Sequence, residues 1–317
     1  MIIISIETSC DETSVSFLEG NKILSCSTIS QVIHSDFGGV VPSIAAKMHL
    51  ENIKEVFLKS FKNSNLIDFK KIDYVAYTEK PGLIICLQIG KIIAETIGLF
   101  LNVPIIPCNH LLGHTYSSLI GVNEQWNFPA ISLIISGGHT QVYVIYDHFK
   151  FELIGESLDD SVGECLDKVA IMMGGKYPGG PVIENLAIKG RNAYKIPIPK
   201  NDKTLDFSFS GLKSFASREL KKNNSINLED FSYSLQEVIS RVISKKIILA
   251  LKKFNSQTLI ITGGVIINKF LREKITSSVH SFSKNIEIFL PKTEYCNDNA
   301  AMIGLLAYYM IIKQVNY

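Results

Sequence analysis

A chain of 317 residues with 46% apolar side chains is too long for most single hydrophobic cores and rich enough to fill two. Its 32 Lys and Arg against 30 Asp and Glu leave a formal net charge of +2, which excludes a whole-molecule basic field, so a nucleic-acid partner would have to be met by a local patch or by other subunits. The six cysteines are scattered, with no C-x-x-C pair, which excludes a disulfide scaffold and reads as reduced thiols.

The opening Met1-Ile2-Ile3-Ile4-Ser5-Ile6-Glu7 lacks the basic flank and long apolar run of a signal peptide, and the late apolar run Ile303 to Ile312 is too short to span a bilayer. The expected location is the cytoplasm.

In chain order, Ile2 to Ile6, Val15 to Leu18 and Ile23 to Ile29 read as a three-strand meander, the last two joined at Gly20-Asn21. Pro42 stands where a helix can begin, and Ile44, Ala45, Met48, Ile53, Val56 and Phe57 recur at helical spacing. Tyr74 to Thr78 reads as a strand, Leu83 to Leu101 as a helix, and Val103 to Pro107 as a strand leading to Asn109-His110-Leu111-Leu112-Gly113-His114. His110 and His114 then share one face of a helix's first turn, where both rings can reach one metal ion; two polar side chains satisfied by backbone is the plainer reading.

The same grammar returns after Phe128, with strands at Ala130 to Ser136, Thr140 to Tyr146 and Phe151 to Gly155. A mostly helical insertion follows from Ser161 to Asn255, then strand Thr258 to Thr262, a helix from Asn268, strand Ile286 to Leu290 and a closing helix from Asn299. The repeat is a duplicated βββαβα unit. It implies a first domain of residues 1–127 plus 299–317, a second of 128–298 with its insertion around 160–255, and a nucleotide cleft between them. No Walker loop is present, since Gly90-Lys91 is followed by Ile92.

Small-residue turns at the strand ends carry the candidate chemistry. Glu7-Thr8-Ser9-Cys10-Asp11-Glu12-Thr13 packs hydroxyls and carboxylates between two strands, and Asp11 is the candidate for positioning or proton transfer; an ordinary polar hairpin is the alternative. Ser136-Gly137-Gly138-His139-Thr140 is its counterpart, with two glycines that permit a positive φ and close approach of a phosphate. Gly263-Gly264 leads to Asn268 at a helix start, the position expected to face base and ribose. Asp167 and Glu184 flank the glycine turn Pro178-Gly179-Gly180-Pro181 and suit ribose hydroxyls, unless they are a helix-face aspartate and a solvated glutamate. Asp298 is either the cap of the last helix or, if that helix folds back, the third member of a His110–His114–Asp298 set of the kind associated with Fe(II). The cations Lys195, Lys200, Lys203, Lys213, Arg218, Lys221 and Lys222 read as a solvated face or a phosphate-contacting one.

Taken together, Ile6 to Ser14, Gly38 to Pro42, Asn109 to His114, Ser136 to Thr140, Tyr177 to Pro181, Phe209 to Lys213 and Asp298 to Ala301 make the chain resemble, end to end, the universal tRNA threonylcarbamoyladenosine transferase family, once described as O-sialoglycoprotein endopeptidases. The resemblance implies an α/β class with the duplicated actin-like ATPase fold. It implies that His110, His114 and Asp298 hold one divalent metal per subunit, iron first and zinc second. It implies that Ile134, Ile135, Ser136, Gly137, Gly138, Asp167, Gly180, Glu184 and Asn268 bind the adenylate. The implied reaction moves a threonylcarbamoyl group from threonylcarbamoyl-AMP to N6 of adenosine 37 in tRNAs reading codons that begin with A. The implied partners are a non-catalytic paralogue and a small P-loop ATPase, with no membrane. Departures from the family pattern stand at Ser43, Lys80, Leu112, Ile266, Ile267 and Asn297, none of them a metal ligand. The competing readings are a small-molecule kinase or chaperone-type ATPase on the same fold, an inert scaffold, and a metallopeptidase, which would need Glu where Leu111 stands.

Overall fold

The computed structural model describes residues 1–66, 68–122, 125–222 and 226–315. Of the expected segments, positions 223–225 of the insertion and 316–317 of the closing stretch lie outside the described residues. The chain divides into two compact units, Met1–Glu124 with Pro291–Tyr317, and Gln125–Leu290. The return to the first unit comes at Pro291 instead of the expected 299, so Asp298 belongs to the first unit and not the second.

The first unit opens with β1 (Ile2–Glu7), β2 (Glu12–Glu19) and β3 (Lys22–Ser30), an antiparallel meander. Helix α1 (Pro42–Asn63) starts with proline at its first position, where the missing N–H is no loss. It is followed by β4 (Tyr74–Lys80), α2 (Ile84–Leu101), β5 (Ile105–Asn109) and α3 (His110–Ser117). The strands β4 and β5 run parallel to β1, giving the order β3-β2-β1-β4-β5. Side chains of a strand alternate between faces. Ile2, Ile4 and Ile6 accordingly enter a core with Phe17, Val56, Val75 and Ala94, while Ser5 and Glu7 point to the opposite face. Phe57, Phe61 and Phe69 close that core with tilted and edge-to-face ring contacts, two of them to Phe17.

The second unit repeats the arrangement with β6 (Ala130–Ile135), β7 (Thr140–Asp147) and β8 (Lys150–Glu156). The insertion supplies α4 (Val162–Met172), α5 (Gly179–Ala187), α6 (Ser210–Lys222) and α7 (Leu228–Lys253). Then come β9 (Thr258–Thr262), α8 (Lys269–Phe282) and β10 (Glu287–Phe289). Sheet order is β8-β7-β6-β9-β10, with β6, β9 and β10 parallel. Position for position this is the pairing of the first sheet, so the duplication read from the strand pattern is a duplication of topology.

The last helix, α9 (Ala300–Ile312), packs on the Ser5 and Glu7 face of the first sheet. Ser5 Oγ donates to the Ala300 carbonyl at 2.7 Å, and Ala300 N donates to Ser14 Oγ at 2.9 Å. Close approach needs small residues: a Cβ on Gly304 would meet Ser5 Oγ at 2.7 Å, and one on Gly113 of α3 would meet Ile303 Cδ1 at 2.8 Å. The cap of α9 is Asn299, whose side chain accepts from Met302 N at 3.1 Å and donates to the Asn297 carbonyl at 2.7 Å. Asp298 is therefore not the cap, and its carboxylate is left for other work. Replacing Asn299 by Ala should destabilise the protein by about 1–2 kcal/mol, read as a shift of the chemical-denaturation midpoint without a change of slope.

Candidate metal centre and glycine turn

Strand β5 runs directly into α3, and Asn109 ends the one and caps the other, its side chain accepting from Leu112 N at 3.1 Å. The cap fixes where the first turn begins, and so aims His110 and His114 to the same side. Their rings stand edge to face, 4.7 Å apart between centroids. His114 Nε2 lies 3.0 Å from Asp298 Oδ1, and His110 Nε2 lies 3.5 Å from the same oxygen. The three donor atoms all fall within 4.8 Å of one another. Two donors held about 2.1 Å from a shared ion, roughly 90–110° apart, are about 3.0–3.4 Å from each other; the two contacts to Asp298 are close to that spacing, while the imidazole nitrogens, within 4.8 Å, would draw together around an ion. His114 Nδ1 is buried without a hydrogen-bond partner among the described residues. The donor set of two imidazoles and one carboxylate leaves coordination positions open.

Behind His110 sits Glu7, fully buried. Its Oε2 is 3.0 Å from His110 Nδ1 and accepts from Thr78 Oγ1 at 2.5 Å, and its Oε1 accepts from Ser9 N at 2.5 Å. Ser9 Oγ also lies 3.1 Å from His110 Nδ1. Burial disfavours a protonated His110, but the negative charges of Asp298 and Glu7 and the hydrogen bond to Glu7 outweigh it and hold the imidazole up at about 9. Burial raises the Glu7 carboxyl, yet the charge and hydrogen bond of His110 prevail and keep it below its usual range. Glu12 is pushed well above the carboxylate range by burial, with the charges of Asp298 and Asp11 and a hydrogen bond to Asp11 adding. Asp11, expected as a catalytic group, thus lies half-buried between β1 and β2 beside Glu12. Thr78 was not singled out from sequence, and Glu7, Ser9 and Glu12 were read only as parts of a polar turn, with no individual role beside His110. For Glu7 the signal was there: a carboxylate closing the alternation Ile2-Ile3-Ile4-Ser5-Ile6 has nowhere to go but inward.

In the second unit the expected binding residues gather at the carboxyl ends of the parallel strands β6 and β9, the usual place for a ligand in such sheets. Ile134 and Ile135 are wholly buried, so a ligand could meet them only through their backbone. Ser136 Oγ accepts from His139 N at 3.1 Å and closes the turn. Gly137 and Gly138 do not adopt the expected positive φ. They are exposed, and a Cβ on either would meet nothing within 4 Å, so they border open space. The strained glycine of this group is Gly263, with φ +98°, where a Cβ would run into the Ile135 carbonyl.

Asp167 accepts from Gly179 N at 2.6 Å, and a Cβ on Gly179 would meet the Asp167 α-carbon at 2.6 Å, so α4 and α5 touch here. Burial raises its carboxyl above the usual range, opposed by N–H groups of Gly179 and Gly180. A Cβ on Gly180 would meet nothing within 4 Å, so this residue too is open to a ligand. Glu184 Oε1 accepts from Lys269 N at 2.7 Å. Asn268 caps α8 by accepting from Leu271 N at 2.9 Å and donates to Gln236 Oε1 at 2.6 Å. The turn Ser136–Gly138, Gly180, Glu184 and Asn268 therefore line the strand ends of this unit, with Asp167, Glu184 and Asn268 already engaged in backbone bonds. Of the basic stretch, Lys200 pairs with Asp202 at 2.8 Å and Lys213 with Asp160 at 2.7 Å, which removes both as free cations.

The duplicated topology is that of the actin-like ATPase fold. T. kodakarensis HypF superposes with a TM-score of 0.66 at 14% identity over 99% of this chain and 48% of that one. Component A of the Acidaminococcus fermentans (R)-2-hydroxyglutaryl-CoA dehydratase gives 0.59, also at 14%, over 98% and 99%. At such identities the likeness is one of fold. Within that fold class the chain belongs to the tRNA N6-adenosine threonylcarbamoyltransferase family, whose model matches residues 22–305. A protein of that name from Mycoplasma capricolum is 43% identical over 98% of both chains. The chain is accordingly a transferase of tRNA modification, and the kinase, scaffold and peptidase alternatives fall away.

A protonated His110 must give up its proton before Nε2 can bind a metal. Affinity of the metal-free protein for a divalent ion should therefore rise about tenfold per pH unit and level off near the imidazole's value of about 9. The raised group stabilises the metal-free fold fully below about 6.5, and that contribution is lost as pH rises through about 9. Chelator-competition titrations at stepped pH check the first expectation; an affinity flat between about pH 7 and 9 would contradict it.

Proposed function

We propose that the protein forms N6-threonylcarbamoyladenosine at position 37 of tRNAs reading codons that begin with A, using threonylcarbamoyl-AMP as donor. The observation that carries this reading is family membership over nearly the whole chain together with the convergence of His110, His114 and Asp298 on one point. The exocyclic amine of adenine is a poor nucleophile because its lone pair is delocalised into the ring. The donor carbonyl is already activated as a mixed anhydride with phosphate. The new bond joins N6 to the carbamoyl carbon, the bond to the phosphate oxygen breaks, and AMP departs. What the protein supplies is orientation, stabilisation of the departing phosphate and a place for the amine proton.

His110, His114 and Asp298 hold one divalent ion, with Fe(II) the best match to the donor set and zinc the alternative. When bound, that ion supplies Lewis acidity toward an oxygen ligand. The exposed N–H groups of Gly137 and Gly138 face the phosphate, and Asp167, Gly180, Glu184 and Asn268 take the nucleoside of the adenylate. Asp11 is the group for positioning or moving the amine proton. Reconstitution with tRNA and the adenylate, read by nucleoside mass spectrometry, tests this: His110→Ala and Asp298→Ala should each lose about a hundredfold or more in rate while the fold survives. Undiminished rates in both would end the metal assignment.

The reading includes cytoplasmic location and two protein partners, a non-catalytic paralogue and a small P-loop ATPase. α2 is the one helix among the described residues long and apolar enough to cross a membrane, with a mean hydropathy of 1.8 over 18 residues. As the crossover between parallel β4 and β5 it is part of the fold. Its Ile85, Ile92 and Leu99 recur every seven residues and are 52%, 59% and 85% exposed, with Ile84 and Phe100 beside them. Such a stripe suits an apolar helix of the paralogue. Ile92→Glu should weaken that association roughly tenfold or more while leaving the melting temperature of the isolated chain unchanged; co-elution from size-exclusion chromatography and calorimetry check it.

A further inference from the structure

We infer that Glu7 is a positioning residue for the metal site, fixing the tautomer and ring orientation of His110 from behind. This rests on the proposed His110–His114–Asp298 centre. The chain places this carboxylate at the end of β1, on the sheet face covered by α3 and α9, with no exposure to solvent. Among the described residues neither Lys nor Arg pairs with it; its neighbours are the Thr78 hydroxyl, the Ser9 N–H and His110 Nδ1. A carboxylate at 3.0 Å from Nδ1 makes that nitrogen the donor, and so leaves the Nε2 lone pair directed at the point shared with His114 and Asp298. The two imidazoles are unequal in this respect. Among the described residues His114 Nδ1 has no acceptor, and its ring is placed by α3 and by the contact of Nε2 with Asp298. A buried carboxylate without a cation is costly unless its lone pairs are used, and here one of its uses is to hold a ligand ready and to put negative charge behind it. Thr78 serves the same end one step further out, since its hydroxyl fixes the Glu7 oxygen that faces His110.

The test uses the full chain stripped of metal and titrated with cobalt(II) against a competing chelator. Glu7→Gln keeps the shape and should weaken cobalt binding by about tenfold to a hundredfold. Thr78→Val, which leaves the carboxylate in place, should weaken it by a smaller factor. If Glu7 merely fastens β1 to β4, both variants lower the melting temperature with cobalt affinity within threefold of wild type, and the inference is overturned. A second measurement needs no variant: in the zinc-loaded wild type, the His110 Nδ1 ring proton should resonate clearly downfield of the His114 one by NMR. Equal shifts for the two would also overturn it. A His110→Ala protein that binds cobalt as tightly as wild type would instead remove the metal centre itself, a separate failure.

Discussion

Putting a carboxylate at the buried end of a core strand is the constraint around which the first unit is arranged. Glu7 cannot be hydrated where it sits, so every lone pair has to be met by a donor the fold delivers. β4 delivers Thr78, the turn after β1 delivers the Ser9 amide, and α3 delivers His110. α3, which carries His110, lies tightly on α9, an approach that Gly113 permits. The same packing sets Asp298, just ahead of the Asn299 cap, against both imidazoles. Satisfying one buried acid and assembling one donor set are thus the same act of packing.

Duplication gave the chain two sheets of one topology, and the two have been put to different uses. At the end of β1 the turn is acidic and hydroxyl-bearing, and it serves imidazoles and a carboxylate. At the end of β6 it is Ser136-Gly137-Gly138, open to solvent and backed by Gly163, whose missing Cβ lets α4 come against the Ser136 carbonyl. One strand end offers side chains and the other offers backbone.

Much of this was legible in the sequence because period and turn chemistry are local. The strands, the helix starting at His110 and the repeated order all follow from β-branched runs, Pro42 and the glycine turns. What the sequence left open depends on long-range packing. Whether Asp298 or Asn299 caps α9 is decided by a backbone direction, and adjacent Asp and Asn are chemically equal candidates for that job. Gly137 and Gly138 read as conformational glycines, yet their φ angles are ordinary and their value lies in the empty space beside them, which no local rule encodes. The side chains of Ile134 and Ile135 belong to the core, so any contact of theirs with a ligand would run through the backbone, which side-chain chemistry does not display. Glu7 was read only as the first residue of a polar turn because a polar residue at a strand's end looks like a boundary until the chain above it is known.

His114 and Asp298 meet across a sequence separation of 184 residues, with the entire second unit made in between. During synthesis the two imidazoles are displayed long before their carboxylate partner exists, and α9, which holds that partner in place, is made later still. The three donors are therefore together only in a chain whose last helix has docked, so the order of synthesis makes their meeting one of the final events of folding.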